Sequence, residues 1–260
     1  MSSSKKETFA RIGIATKGII YVILGGITAY AAFNSNQNMT SSDGALKYIA
    51  SQSFGQILLL ITAIGIAGYV FWRLYLAIAN PEGDSDTKST VKRIGYVFSA
   101  ISYALLCYTA IELLLNSSSG GSSKKGWLAM ILDQSWGSIA IYIIALILLG
   151  KAGYELYRAY SGKFTDRIQN SELDSKSQSF LIKAGKAGFT ARAVVFGIIA
   201  FLFYKAASQS NAQEAGGTKQ AFAFLQEQGG LILMGIVAFG LALYGIYLLA
   251  SSRYRNIPIQ

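Results

Sequence analysis

Histidine is absent from this 260-residue chain, and cysteine occurs only once. A Ser-His-Asp relay, an imidazole base, a histidine-bound haem and an ordinary zinc site therefore cannot be built, because each needs an imidazole. One cysteine forms neither an intrachain disulfide nor a thiolate cluster. The aspartates lie in predicted loops, so we expect a protein with no enzymatic activity, no cofactor and no bound metal.

Charged residues are also scarce, at 14% of the chain against 52% hydrophobic residues. Soluble domains carry roughly a quarter charged residues, so this composition indicates a chain embedded largely in lipid. Six segments stay apolar over about 20 residues, the length that crosses a hydrocarbon core of about 30 Å. The sequence predicts an all-α, polytopic membrane protein with spans at 12–33, 57–79, 94–115, 138–160, 188–207 and 231–251.

Basic residues are distributed unevenly about these spans. Of the 23 Lys and Arg residues, those predicted on the side opposite the termini are Lys47, Lys124, Lys125, Lys205 and Lys219. The positive-inside rule therefore predicts an inner-membrane protein with both termini in the cytoplasm. The cations flank spans and form no basic helix interleaved with aromatic residues, so we expect lipid and not nucleic acid as the charged partner.

One two-span unit recurs three times along the chain. Each copy starts with a basic residue two positions before a glycine. Four residues after that glycine comes Lys17, Ser99 or Arg192, and four residues further comes an aromatic residue, Tyr21, Tyr103 or Phe196. A loop motif then runs from Gly44-Ala45-Leu46 to Gly55 and from Gly126-Trp127-Leu128 to Gly137. The second spans share a glycine followed by a tyrosine, at Gly65 and Tyr69, Gly150 and Tyr154, and Gly240 and Tyr244.

These motifs together resemble the bacterial domain-of-unknown-function family 1206. The resemblance implies a membrane fold of three tandem helical hairpins, at 8–80, 90–162 and 183–254, with a cytoplasmic linker at 163–182. It implies no activity and no site residue. The third repeat departs most, because it lacks the Gly-Ala-Leu triplet and carries Leu248 where the others have Arg73 and Arg158.

The repeats are parallel, since each hairpin begins and ends on the same side of the membrane. Three parallel copies predict a pseudo-threefold arrangement around an axis along the membrane normal, unlike the inverted repeats of many transporters. The only prolines, Pro81 and Pro258, lie outside the spans, and we expect almost no buried acid. Both features argue against a coupled transporter with broken helices.

Lys17, Ser99 and Arg192 occupy matching positions inside the first span of each repeat. An intramembrane cation is expensive unless it is paired or wet, so these positions are candidates for a basic vestibule that contacts anions or anionic lipid headgroups. The alternative is that the long side chains of Lys17 and Arg192 extend along their helices to the headgroups.

Two carboxylates inside spans need separate interpretation. Glu112 is a candidate contact for a proton or cation, a partner for Lys205, or a side chain at the outer interface. Glu155 lies four residues after Lys151 on one helix, so we interpret these two as a structural intrahelical pair, which stabilises a helix by only tenths of a kcal/mol when it is exposed.

Aromatic and basic residues also gather where the second spans end. Amphipathic rings settle at membrane interfaces, so we predict a cytoplasmic aromatic-basic belt there. Its members are Trp72, Arg73, Tyr157, Arg158 and Tyr247.

Two functional hypotheses remain from the sequence. The first is a passive channel or permease for a small solute, with anions favoured by Lys17 and Arg192, because repeats that close around an axis create a central site. The alternative is a non-catalytic scaffold, lipid-binding protein or accessory subunit, with an anionic lipid or another membrane protein as its partner.

Overall fold

The computed structural model describes residues 3–33, 42–51, 55–79, 87–115, 123–162, 164–165, 168 and 173–254. Helices account for almost all of this part of the chain. They are α1 (Ser3–Phe33), α2 (Ser42–Ala50), α3 (Gly55–Ala79), α4 (Thr87–Leu114), α5 (Ser123–Leu132), α6 (Gly137–Tyr160), α7 (Ser175–Ser208) and α8 (Thr218–Tyr254).

Six of these helices are long and apolar enough to span a membrane, as the sequence predicts: α1, α3, α4, α6, α7 and α8. The largest difference from the predicted bounds is α7, which begins at Ser175 and not at 188. Asp174 caps it by accepting hydrogen bonds from the backbone N–H groups of Lys176 and Ser177, both at 3.2 Å. Hydrogen bonds from Ser177, side chain and backbone, lower the pKa of the Asp174 carboxyl. Part of the predicted linker 163–182 is thus helical, and its residues 163, 166–167 and 169–172 lie outside the described residues.

The long helices are arranged with pseudo-threefold order, as a ring that is open between the described residues of α4 and α6. The second span of each repeat packs against the first span of the next repeat, which gives the pairs α3 with α4, α6 with α7, and α8 with α1. The last pair closes the contact between the third repeat and the first. Two further interfaces lie within single repeats: α1 packs on α3 in the first repeat, and α7 packs on α8 in the third. The described residues of α4 and α6 form no comparable interface inside the second repeat.

Each repeat also places a short helix on the side of the bundle opposite the termini. These helices are α2, α5 and the first part of α8, and their apolar residues Leu46, Leu128 and Phe222 are buried under the spans. A glycine joins each short helix to its following span, at Gly55, Gly137 and Gly230. Gly230 has φ 69°, a left-handed conformation that favours glycine, and it produces the kink inside α8.

Arg11 fixes the closure of the ring on the other side, where α1 begins and α8 ends; we call this the terminal side. Its Nη1 donates to the carbonyl oxygen of Ser252 at 2.8 Å and to that of Arg253 at 2.5 Å. A helix C-terminus leaves its last carbonyls without intrahelical partners and carries partial negative charge. The guanidinium therefore satisfies these acceptors and ties the first repeat to the third.

We expect Arg11→Ala to lower the free energy of unfolding by about 1–2 kcal/mol, because two charge-assisted hydrogen bonds between α1 and α8 are lost. Unfolding of the purified protein in a mixture of non-ionic detergent and dodecyl sulfate, followed by circular dichroism, measures this change. Lys183→Ala is the matched control, since Lys183 is an exposed cation on α7. Equal stability of the two variants would show that Arg11 does not hold the closure.

Candidate functional site

Lys17 and Arg192 lie inside the bundle, in the half nearest the terminal side. Each is only 6% exposed, so neither side chain extends to the bundle surface in this structure. Four tyrosines, two further cations and one carboxylate surround them. We name this group the cation–tyrosine cluster: Lys17, Arg73, Lys151, Arg192, Glu155, Tyr21, Tyr69, Tyr103 and Tyr244.

The Tyr69 hydroxyl is the meeting point of the first half of the cluster. Its oxygen accepts hydrogen bonds from Lys17 Nζ at 3.1 Å and from Arg73 Nε at 2.7 Å. The hydroxyl also lies 3.5 Å from Ser99 Oγ, so it can donate its own proton there. Lys17 Nζ is 5.0 Å from the ring centroids of both Tyr69 and Tyr103. Two cations therefore share one phenol oxygen and the faces of neighbouring rings.

Arg192 organises the second half. Its Nη1 donates to the Tyr244 hydroxyl at 2.8 Å and lies 3.1 Å from Glu155 Oε1. The same carboxylate oxygen lies 3.1 Å from Lys151 Nζ. Among the described residues, Arg192 Nε and Glu155 Oε2 are buried without a hydrogen-bond partner. Buried polar atoms are usually satisfied, so this point retains capacity to bind a polar group.

The contacts repeat with the internal symmetry of the chain. In the first and third repeats, the cation of the first span donates to the tyrosine of its own second span, as Lys17 does to Tyr69 and Arg192 to Tyr244. The second repeat has Ser99 at the basic position, and its Tyr154 is 50% exposed while Tyr69 and Tyr244 are 2% exposed.

Aromatic contacts join the repeats to one another at the level of the cations. The rings of Tyr69 and Tyr103 have centroids 4.6 Å apart, and those of Tyr21 and Tyr244 are 5.0 Å apart, both edge to face. Tyr21 and Tyr103 occupy the same repeat position, four residues after Lys17 and Ser99. Aromatic rings therefore bridge neighbouring repeats at this depth.

Positive charge exceeds negative charge in the described part of the cluster. Lys17, Arg73, Lys151 and Arg192 are cations, whereas Glu155, 1% exposed, is the carboxylate that pairs with two of them. The tyrosine hydroxyls and ring faces supply dipoles and quadrupoles but no full counter-charge. A buried excess of cations in a membrane favours the binding of an anion.

The Lys151–Glu155 pair expected from the sequence is present, with 3.1 Å between Lys151 Nζ and Glu155 Oε1. It is more than a local contact within one helix, because the carboxylate is buried and also lies 3.1 Å from Arg192 Nη1. Glu155 is thus a buried acid inside a span, where we expected almost none. Through this carboxylate, α6 contributes to the site.

The structure places the residues of the predicted belt in different surroundings. Trp72 and Tyr247 are buried, and Arg73 is half-buried against Tyr69, because α3 and α8 are covered on these faces by neighbouring helices. Tyr157 is exposed as a belt residue would be, and Arg158 places its guanidinium 4.4 Å from the Phe189 ring centroid.

Glu112 lies apart from the cluster, in the half of α4 nearest the opposite side, where its side chain hydrogen-bonds that of Tyr108. Lys205 does not pair with it, because Lys205 Nζ lies 2.8 Å from Glu214 Oε2. Within the described residues, no group of three or more His, Cys, Asp or Glu side chains is arranged to hold a metal ion.

Six residues of the cluster were not predicted as site residues: Glu155, Lys151, Tyr21, Tyr69, Tyr103 and Tyr244. One signal was present: the basic residue at 17 or 192 and the tyrosine at 69 or 244 are separated by the same 52 positions in two repeats. A basic residue and a tyrosine that keep the same spacing in two internal copies indicate that the two side chains are in contact. This spacing could have predicted the Lys17–Tyr69 and Arg192–Tyr244 contacts.

Comparison with known proteins follows the same three units. The family described as Domain of Unknown Function (DUF1206) matches residues 12–80, 94–162 and 187–255, which confirms the resemblance seen in the motifs. The chain is 28% identical over 265 residues to "Uncharacterized protein YxxB" of Bacillus subtilis (strain 168), covering 99% of this chain and 96% of that protein. No solved structure matches the chain.

Proposed function

We propose, from the premise that the chain belongs to the membrane-protein family described as Domain of Unknown Function (DUF1206), that it binds the anionic group of a ligand in the cation–tyrosine cluster and catalyses no reaction. The observation that carries this proposal is the buried excess of positive charge around Lys17 and Arg192. Its ligand carries a phosphate or carboxylate group, which accepts hydrogen bonds from ammonium and guanidinium donors.

The geometry of the cluster supports binding over a permanently open axial pore. At the depth of Lys17, edge-to-face contacts of Tyr69 with Tyr103 and of Tyr21 with Tyr244 span neighbouring repeats. A wide conduit for hydrated ions needs water-lined space at this level. The cluster instead offers fixed donors that can hold one anionic group in place.

The distribution of basic residues supports a location in the inner membrane with both termini in the cytoplasm. The cluster then faces the leaflet and the solution on the cytoplasmic side. An anionic group reaches it there either on a membrane lipid or as a free solute, and the two sources are separated by the probes below.

The test is thermal stabilisation of the full-length protein by two anionic probes, phosphatidylglycerol and inorganic phosphate, in phosphatidylcholine nanodiscs. We expect at least one probe to raise the unfolding temperature of the wild type. Lys17→Gln is expected to weaken the apparent affinity about tenfold, as the loss of one charge-assisted hydrogen bond of about 1.4 kcal/mol implies.

Two further measurements keep this test decisive. Lys183→Gln removes an exposed cation of α7 outside the cluster and is expected to leave the affinity unchanged. Arg73→Gln removes the second donor to Tyr69 and is expected to weaken binding as Lys17→Gln does. The proposal fails if neither probe stabilises the wild type, or if all three variants respond to the probes as the wild type does.

A further inference from the structure

Among the described atoms, the second repeat lacks the close helix contacts that the first and third repeats have. A Cβ atom added to Gly13 would lie 2.7 Å from Cα of Tyr69, and one added to Gly188 would lie 2.6 Å from Cα of Tyr244. Helix faces this close are typical of small-residue packing in membranes. Gly95 occupies the same position in the second repeat, and no described atom lies within 4 Å of its added Cβ.

A second pair of positions gives the same result. The added Cβ of Gly240 would lie 2.6 Å from Cβ of Ala191, and that of Gly65 would collide with Thr16, whereas that of Gly150 meets no described atom within 4 Å. Gly153, one turn further along α6, is open in the same way. In the sequence, position 98 of the second repeat corresponds to Thr16 and Ala191, and it carries a phenylalanine where the other repeats carry these smaller residues.

The opening changes the environment of two long helices. In the most apolar stretch of each span, only 18% of α4 and 22% of α6 is buried, against 44–50% in the other four spans. We name the uncovered space between the described glycine faces of α4 and α6 the seam, defined by Gly95, Gly150 and Gly153.

Lys151 connects the seam to the cation–tyrosine cluster. It follows Gly150 directly, and its side chain is 42% exposed while its Nζ contacts the buried Glu155 at 3.1 Å. It lies nine residues before the end of α6, about 13 Å along the helix axis. An exposed cation at this depth is costly in hydrocarbon unless an anion or water accompanies it.

We propose that the seam admits an anionic diacyl glycerophospholipid from the bilayer, with its acyl chains along the glycine faces of α4 and α6 and its phosphate at Lys151. This inference rests on the proposed function, and it names the ligand class and the route to the cluster. From Lys151 the phosphate is adjacent to the Glu155 and Arg192 pair, where Arg192 Nε is a buried donor without a partner among the described residues.

Charge and shape together select this occupant. The seam opens sideways into the hydrocarbon region, so its occupant is apolar along most of its length. Beside Gly150 it meets the Lys151 cation and, behind Lys151, the Arg192 cation, so the occupant carries an anionic group at this level. A membrane phospholipid with a net negative headgroup has both properties and is present at high concentration in the surrounding bilayer.

The experiment compares phosphatidylglycerol with phosphatidylcholine by native mass spectrometry of the full chain. The seam variant is Gly150→Leu with Gly153→Leu, at two glycines of α6 whose added Cβ atoms meet no described atom within 4 Å. Its matched control is Gly26→Leu with Gly197→Leu, at glycines of α1 and α7 whose added Cβ atoms likewise meet no described atom within 4 Å. We expect the seam variant to retain about a tenth or less of the wild-type phosphatidylglycerol occupancy, because the leucines occupy the space beside Lys151, and the control to retain all of it.

Photo-cross-linking supplies the second readout. Phosphatidylglycerol with a diazirine near the end of one acyl chain is expected to label peptides of α4 and α6 in the wild type and in the control. Lys151→Gln is expected to reduce this labelling, because the phosphate loses its contact at the seam. Phosphatidylcholine with the same diazirine is expected to label these peptides no more than the other spans.

Each failure has its own signature. If phosphatidylglycerol binding depends on Lys17 but survives in the seam variant, the lateral route is overturned and the proposed function stands. If binding is insensitive to both Lys17→Gln and the seam variant, the proposed function fails as well. If a photoreactive amino acid at position 153 cross-links a second protein helix in place of lipid, the occupant proposed here is wrong.

Discussion

Glu155→Gln is expected to lower the free energy of unfolding by about 3–5 kcal/mol, the usual consequence of removing one partner from a buried ion pair. The carboxylate is 1% exposed and lies 3.1 Å from both Arg192 Nη1 and Lys151 Nζ. The glutamine keeps the size and one acceptor oxygen but no negative charge. Arg192 then remains a buried cation that donates a hydrogen bond to the Tyr244 hydroxyl but has lost its carboxylate partner. The cluster around it already has excess positive charge.

A double variant separates two contributions to the free energy of unfolding: the loss of the Glu155–Arg192 ion pair and the cost of a buried Arg192 cation without its carboxylate. Because Arg192→Gln removes the cation that Glu155→Gln leaves unpaired, the two changes together are expected to cost less than the sum of the single changes. Glu112→Gln is the matched control, since it makes the same chemical change at a carboxylate near the far end of α4. Unfolding in mixed detergent and dodecyl sulfate measures the wild type and the four variants. Strict additivity, or a Glu155→Gln effect no larger than that of Glu112→Gln, would contradict the assignment.

The spans and their order follow from sequence because each depends on local or repeated information. Hydropathy alone separates six segments of membrane length, and three parallel copies predict the pseudo-threefold order of their packing. The matching positions of Lys17 and Arg192 are visible in the same register, and the structure buries both. The early start of α7 at Ser175 was missed because its first turns are polar, and only the capping residue Asp174 indicates it.

The partner of a buried side chain was harder to predict. Glu155 and Lys151 read as a local pair, since nothing in α6 tells which of its faces meets Arg192 of α7. A span that is apolar on every side gives no amphipathic pattern to orient it. The seam was equally invisible, because Gly95 and Gly150 repeat the motif that closes the other two repeats. Tertiary contacts, not motif identity, decide whether such glycines pack.

Gly25→Ala is expected to destabilise the bundle by about 3 kcal/mol, at the upper end of what overpacking usually costs. Gly25 faces α8, where an added Cβ would collide with backbone atoms of Ala238 and Ala242. Backbone cannot move aside as a flexible side chain can, so α1 and α8 would have to separate. These two helices form the interface that closes the ring between the first and third repeats.

The neighbouring glycine, Gly26, provides a matched control for this prediction. Gly26 is exposed, and no described atom lies within 4 Å of its added Cβ, so Gly26→Ala changes helix propensity without changing packing. Alanine is favoured over glycine inside a helix by roughly 0.5–1 kcal/mol, and we expect Gly26→Ala to be neutral or stabilising by that amount. The two variants have identical composition, and their unfolding curves should therefore separate by about 3–4 kcal/mol. Coincident curves would mean that α1 and α8 are not in close contact in the membrane, because only that contact distinguishes the two positions.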